Sequence, residues 1–136
     1  MNVNVNVGDR IPDWVMECVS ASRMRTMAAI LRDPNPVHWD RKAVALLGLG
    51  ERTINQGPLG VSYMVNMLHA WAGENSIQRM VMRFPNPLIL DEDRITACGL
   101  VTRLREADGA QLADCDIWLE RDGKGGMIEG TATVCL

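Results

Sequence analysis

Apolar residues recur along this chain with two different periods, and the change of period divides it in half. Early on, Met24, Met27, Ala28 and Leu31 fall at helical spacing. Ser20 or Ser22 can cap that helix, and Pro34 and Pro36 forbid its continuation. Ahead of it, residues 7–19 read as an extended piece interrupted by Pro12. Asp40 then caps a short helix through Leu47, which Gly48 can terminate. A third helix starts at Gly57-Pro58, where proline suits the first turn. It carries Leu59, Met64, Val65, Leu68 and Trp71, and Gly73 closes it. Being apolar almost all round, it predicts a buried helix rather than a surface one.

Beyond Gly73 the period falls to two. Residues 78–84, 94–106, 112–121 and 127–136 read as strands. Asp108-Gly109 is a hairpin turn signal, and a glycine-rich turn fills 122–126. Cys115, Ile117 and Leu119 alternate with Asp114, Asp116, Trp118 and Glu120, which gives one dry and one wet face. A buried helix followed by an antiparallel meander is an α+β pattern. Its economical architecture is a curved sheet wrapped around the central helix, the hotdog arrangement. So small a sheet has open edges, and pairing into a dimer covers them.

Length and charge narrow the picture. The 136 residues suit one domain spanning 1–136. A net charge of -3 without a basic run argues against nucleic acid as a partner. No apolar stretch reaches the roughly 20 residues of a membrane helix. The N-terminus has neither a basic start nor an apolar run, so it does not read as a signal peptide, and a cytoplasmic location follows by default. Cys18, Cys98, Cys115 and Cys135 lack zinc-type spacing and there are only two histidines, so no metal is expected and the thiols read as buried and free.

The candidate chemistry lies in Asp33-Pro34-Asn35-Pro36-Val37-His38, an acid, an amide and an imidazole within six residues. Two prolines stiffen the run, and positioned groups are what general acid–base catalysis needs. Adding water across an enoyl thioester means deprotonating the water and protonating the α-carbon, which an Asp and a His sharing one water can do. The same run also reads as a turn in which Asp33 and Asn35 cap backbone groups and His38 caps the next helix. Asn55-Gln56-Gly57-Pro58 opens the buried helix. There the N–H of Gly57 can hold a developing oxyanion, helped by the helix dipole; a plain helix start is the other reading. His69 reads as a core or interface histidine. Trp39 and Trp71 can wall a pocket, and Arg79, Arg83 and Arg103 suit either a phosphate or solvent.

The run Asp-x-Asn-Pro-x-His resembles the signature of the MaoC-like, or (R)-specific enoyl-thioester hydratase, family. Residues 7–12, Val-Gly-Asp-Arg-Ile-Pro, are similar to its opening segment. Asn35-Pro36-Val37-His38-Trp39-Asp40 resembles its hydratase loop. Ile54-Asn55-Gln56-Gly57-Pro58-Leu59 stands where members carry an Ile-Ala-His-Gly-Met-Leu type of sequence. Met82-Arg83-Phe84 through Pro87 is similar to its Arg-Phe-x-x-Pro strand. The resemblance implies a hotdog fold, usually dimeric, that interconverts trans-2-enoyl and (R)-3-hydroxyacyl thioesters. By position it implies Asp33 and His38 as the catalytic pair, Asn35 as loop support near the water, and Gly57 as the oxyanion N–H. Gln56, Trp39 and Pro58 are the expected substrate contacts. The substrate would be a CoA or phosphopantetheine-carrier thioester, with no other cofactor, and the chain a homodimer or part of a hetero-oligomer. Arg32 replaces the glycine usual before the Asp, Gln56 a common histidine and Pro58 a common methionine. The rival activities are a hotdog thioesterase and an acyl-binding subunit of a hetero-oligomeric hydratase.

Overall fold

The computed structural model describes residues 4–85 and 88–136, so Met1 to Val3, Asn86 and Pro87, the end of the Arg-Phe-x-x-Pro resemblance, lie outside the described residues. Five strands form one antiparallel sheet in the order β1-β3-β4-β5-β2: β1 Arg10–Met16, β2 Ile77–Arg83, β3 Ile95–Ala107, β4 Ala110–Arg121 and β5 Glu129–Cys135. Three helices precede β2: α1 Ala21–Leu31, α2 Arg41–Leu46 and α3 Gly57–Ala72. The sheet curves around α3, and the arrangement is the hotdog fold.

Each strand sits where local chemistry permits. β1 is shorter than the extended piece read from the sequence, and its register with β3 slips between Ile11 and Trp14. Pro12 lies in that slip; it has no N–H to give, which an edge strand with a bulge tolerates. The β3–β4 hairpin turns at Asp108 and Gly109, with φ of 51° and 77°, the two positive values a tight two-residue hairpin loop demands. Along β4, Ala113, Cys115, Ile117 and Leu119 are buried while Asp116 is exposed, so the alternation places one face on the core.

α3 supplies the other half of the core. Met64, Met67 and Leu68 are essentially inaccessible and pack with Met24 of α1 and with Ile11, Ile95 and Ile117 of the sheet. The helix is not covered all round, however. Pro58, Asn66 and Ala70 are exposed and Val61 and Val65 are half-buried, because the sheet wraps only one side of it. The thiols divide in the same way. Cys98 and Cys115 are buried, but Cys18 is exposed and Cys135 half-buried, against the expectation that all four are inside.

Candidate active site

The loop from α1 to α2 is built by a chain of short backbone bonds. Ser20 caps α1 through the N–H of Arg23. At the other end Arg32 takes the left-handed conformation, φ 51°, and its N–H reaches back to the carbonyls of Ala28 and Ala29. That conformation is glycine's, which gives a physical reason for glycine before the acid in the resembling family. The reversal lets the Asp33 N–H bond to the Ala28 carbonyl at 2.9 Å. Asp33 Oδ1 then accepts from the N–H of Asn35 at 2.9 Å, and Asn35 Oδ1 accepts from the N–H of Val37 at 3.3 Å. The second of these caps a single 3-10 turn over Pro36–His38. So Asp33 and Asn35 do cap backbone groups. His38 does not cap the next helix; Asp40 holds the N–H groups of Lys42 and Ala43 instead.

His38 is free for another use. Its Nδ1 lies 2.6 Å from the carbonyl oxygen of Ile54, and its Nε2 lies 3.2 Å from Asp33 Oδ2. The side chains are 12% and 30% exposed, so water can reach the pair while the imidazole stays walled in. A carbonyl only accepts, so Nδ1 carries a proton and donates it. In a neutral imidazole Nε2 then presents a lone pair to the carboxylate. Two acceptors at that separation sit together when one proton lies between them, or when a water to one side donates to both. The pair is therefore arranged to hold and pass a proton.

The Ile54 carbonyl is itself held in place. The Ile54 N–H donates to Val37 and the Asn55 N–H to Ile89, and Ile54 bridges Leu90 antiparallel. Behind them Asp91 is fully buried. It accepts from the backbone N–H and hydroxyl of Thr53 and from Arg41 of α2. Burial alone would push its carboxyl up, but the Thr53 bonds and the Arg41 charge more than offset that and hold it below the usual carboxylate range. Arg52 and Arg121 tie Asp93 into the same corner. Nothing in the sequence spacing announces this brace, whose partners are 28 to 50 residues apart.

Next to the pair, α3 begins. Gln56 makes no side-chain cap, so the N–H groups of its first turn, Gly57 included, point out uncapped by side chains. A cavity of about 120 Å³ opens there, lined by Asn55, Gln56, Gly57, Phe84, Pro85, Leu88, Ile89, Met127 and Ile128. Asp33, Asn35 and His38 are not among its walls, and neither are Trp39 and Pro58: Trp39 ends the 3-10 turn half-buried, and Pro58 faces outward on α3. Gln56 is a structural tie as well as a wall, since its Nε2 donates to the Met24 carbonyl at 2.7 Å and links α3 to α1. Asn55 is 8% exposed, and its amide lies beside the Tyr63 phenol: burial pushes that phenol up and the amide partly offsets the push. Burial pushes the Cys98 and Cys115 thiols up to about 12, far from thiolate chemistry. His69 is half-buried, and Arg83 pairs with Glu129 on the sheet.

Residues 8–111 match the model of the MaoC like domain. The chain belongs to the MaoC-like family. The (R)-hydratase from A. caviae involved in PHA biosynthesis superposes on it with a TM-score of 0.84 at 25% identity, covering 98% of each chain. The ChsH1-ChsH2 complex from Mycobacterium tuberculosis gives 0.80 at 18% identity, over 100% of this chain and 99% of that one. The C-terminally truncated HadBC (3R-hydroxyacyl-ACP dehydratase) complex from the same organism gives 0.68 at 15%, over 98% and 100%. The last two establish likeness of fold alone. A comparison with curated proteins finds no match. Among the described residues, no helix of this MaoC-like chain is long and apolar enough to cross a membrane.

Proposed function

We propose that the chain is a hydratase or dehydratase that interconverts trans-2-enoyl and (R)-3-hydroxyacyl thioesters carried on CoA or a phosphopantetheine carrier. The observation that carries this reading is the one-proton pair, His38 Nε2 at 3.2 Å from Asp33 Oδ2 with Nδ1 locked on Ile54. In hydration the pair holds a water. One member takes its proton as the oxygen adds to C3, the other delivers a proton to C2, and passage of a proton back across the 3.2 Å between them restores the starting state. Electron density moves onto the thioester oxygen between those events, and the uncapped Gly57 N–H is the donor positioned to receive it. The steps need an acid, a base and water and no further cofactor.

The likeness to the two-subunit ChsH1-ChsH2 and HadBC complexes supports a second point, that the active unit is a dimer of this chain or a hetero-oligomer. Purified chain, alone and co-expressed with any neighbouring MaoC-like subunit, is offered crotonyl-CoA and longer enoyl-CoAs while enoyl absorbance is followed. Asp33→Asn and His38→Ala each abolish hydration, by a factor of at least about 10²–10⁴, while circular dichroism stays native. Release of free CoA without hydration would establish the thioesterase instead. Acyl binding without turnover of any enoyl thioester would make this an acyl-binding subunit.

A further inference from the structure

The cavity at the start of α3 has two unlike sides. Toward the core its wall is Ile89, Met127 and Ile128, all buried. Toward solvent it is Phe84, 58% exposed, and Leu88, 44% exposed. These side chains are apolar, so the cavity suits hydrocarbon better than the amides of a phosphopantetheine arm. Its 120 Å³ equals the share of about four water molecules at ~30 Å³ each, which is room for about four heavy atoms.

Phe84 stands at the reacting end of this space. A Cβ on Gly57 would lie 2.9 Å from Phe84 Cε1, 3.5 Å from Cδ1 and 3.6 Å from Cζ. The ring thus fills the place that a side chain on Gly57 would take, against the residue whose N–H is the proposed oxyanion donor. An acyl thioester with its oxygen on that N–H has the ring as its neighbour. Three residues earlier the Ile54 carbonyl holds His38. C2 and C3 then lie between the acid–base pair and the cavity, and the chain from C4 onward runs along the ring. The buried side of the cavity is core and fixed by packing, so the solvent side is where its size is set. Phe84 is the largest side chain on that side.

We infer that Phe84 is a specificity-determining residue whose ring limits the acyl group to about four carbons beyond C3. The inference rests on the thioester reading above and deepens it: the substrate class is short-chain enoyl thioesters. Phe84 takes no part in the proton transfers of Asp33 and His38. One methylene more or less in an apolar pocket changes kcat/KM roughly 10–200-fold, so a chain a few carbons too long is discriminated against strongly.

The test reads chain-length preference in turnover and in binding. Hydration of trans-2-hexenoyl-CoA and trans-2-decenoyl-CoA is followed for wild type, Phe84→Leu and Phe84→Ala. Hexanoyl-CoA and decanoyl-CoA, which have no double bond to hydrate, are titrated calorimetrically into the same proteins. Wild type favours the six-carbon chain on the order of tenfold or more in kcat/KM and in Kd. Phe84→Ala raises kcat/KM for the ten-carbon chain about tenfold and narrows or reverses the preference, and Phe84→Leu falls between. Circular dichroism and Tm stay near wild type, since so exposed a ring buries little; if Phe84→Ala does not fold, Phe84→Leu decides. Equal wild-type preference for the two chain lengths overturns the inference and leaves the reaction standing. So does a Phe84→Ala change by the same factor on both substrates, which would make the ring a packing group for α3 alone. No hydration of either enoyl thioester, with the binding preference present in wild type and lost in Phe84→Ala, would sink the proposed reaction and leave this inference standing.

Discussion

Arg32 shows how one residue can be both necessary to a site and poorly suited to its place. The site needs a left-handed residue between α1 and Asp33, and an arginine holds that position at φ 51°. A side chain there costs roughly 1–2 kcal/mol, partly offset by the lower unfolded-state entropy of a non-glycine residue. Arg32→Gly should therefore stabilise the chain by about 0.5–1 kcal/mol in urea unfolding and leave the Asp33–His38 distance unchanged; a loss of stability would show that the exposed guanidinium makes a contribution the geometry does not reveal. Gly60 is the opposite case, a small residue whose replacement is felt in the cavity. Gly60→Ala gains helix propensity of up to about 1 kcal/mol but drives Ile128 aside. The expected result is a folded protein with a raised KM for acyl thioesters, read from steady-state kinetics.

Between elements, the decisive link is the brace that aims the Ile54 carbonyl at His38. Its hub, Asp91, is fully buried, and it connects α2, the 53–55 segment and the 89–91 segment. Asp91→Asn removes the charge and unmatches Arg41 and Thr53, so it should cost about 3 kcal/mol in denaturant unfolding and lower hydration as well. The pH dependence has a definite sign. The Asp91 carboxyl is held below its unfolded value of about 3.9. Its contribution is fully present above that value and is lost as pH falls through the lower folded value, so the wild-type chain should lose this stability only below about pH 4. Thermal melts between pH 3 and 7 check this: Asp91→Asn should show a smaller decline at the acid end than wild type.

At the scale of the whole molecule, β1 and β2 are the open edges of the sheet, and β2 carries exposed Val81 with exposed Phe84 just beyond it. Light scattering should find a dimer or larger assembly, and Val81→Lys should shift it toward monomer at micromolar concentration; an unshifted mass would move the interface to another face, such as the open side of α3. The sequence by itself determined a good deal. The change of period, the Asp108-Gly109 turn and the apolar run after Gly57 dictated elements and order, because propensity and patterning act over neighbouring residues. It also put Asp33, Asn35 and His38 on one short loop, since two prolines and a cap leave that loop few conformations. It did not decide whether those residues form a turn or a proton-holding pair. That depends on the Ile54 carbonyl, 16 residues away, and on Asp91 behind it, and contacts across such separations leave no periodic trace. The same holds for Asn55, Trp39 and Pro58. Which of them faces a cavity is set by the curvature of the sheet over α3, and only the folded chain brings Phe84, Ile89 and Ile128 to that wall.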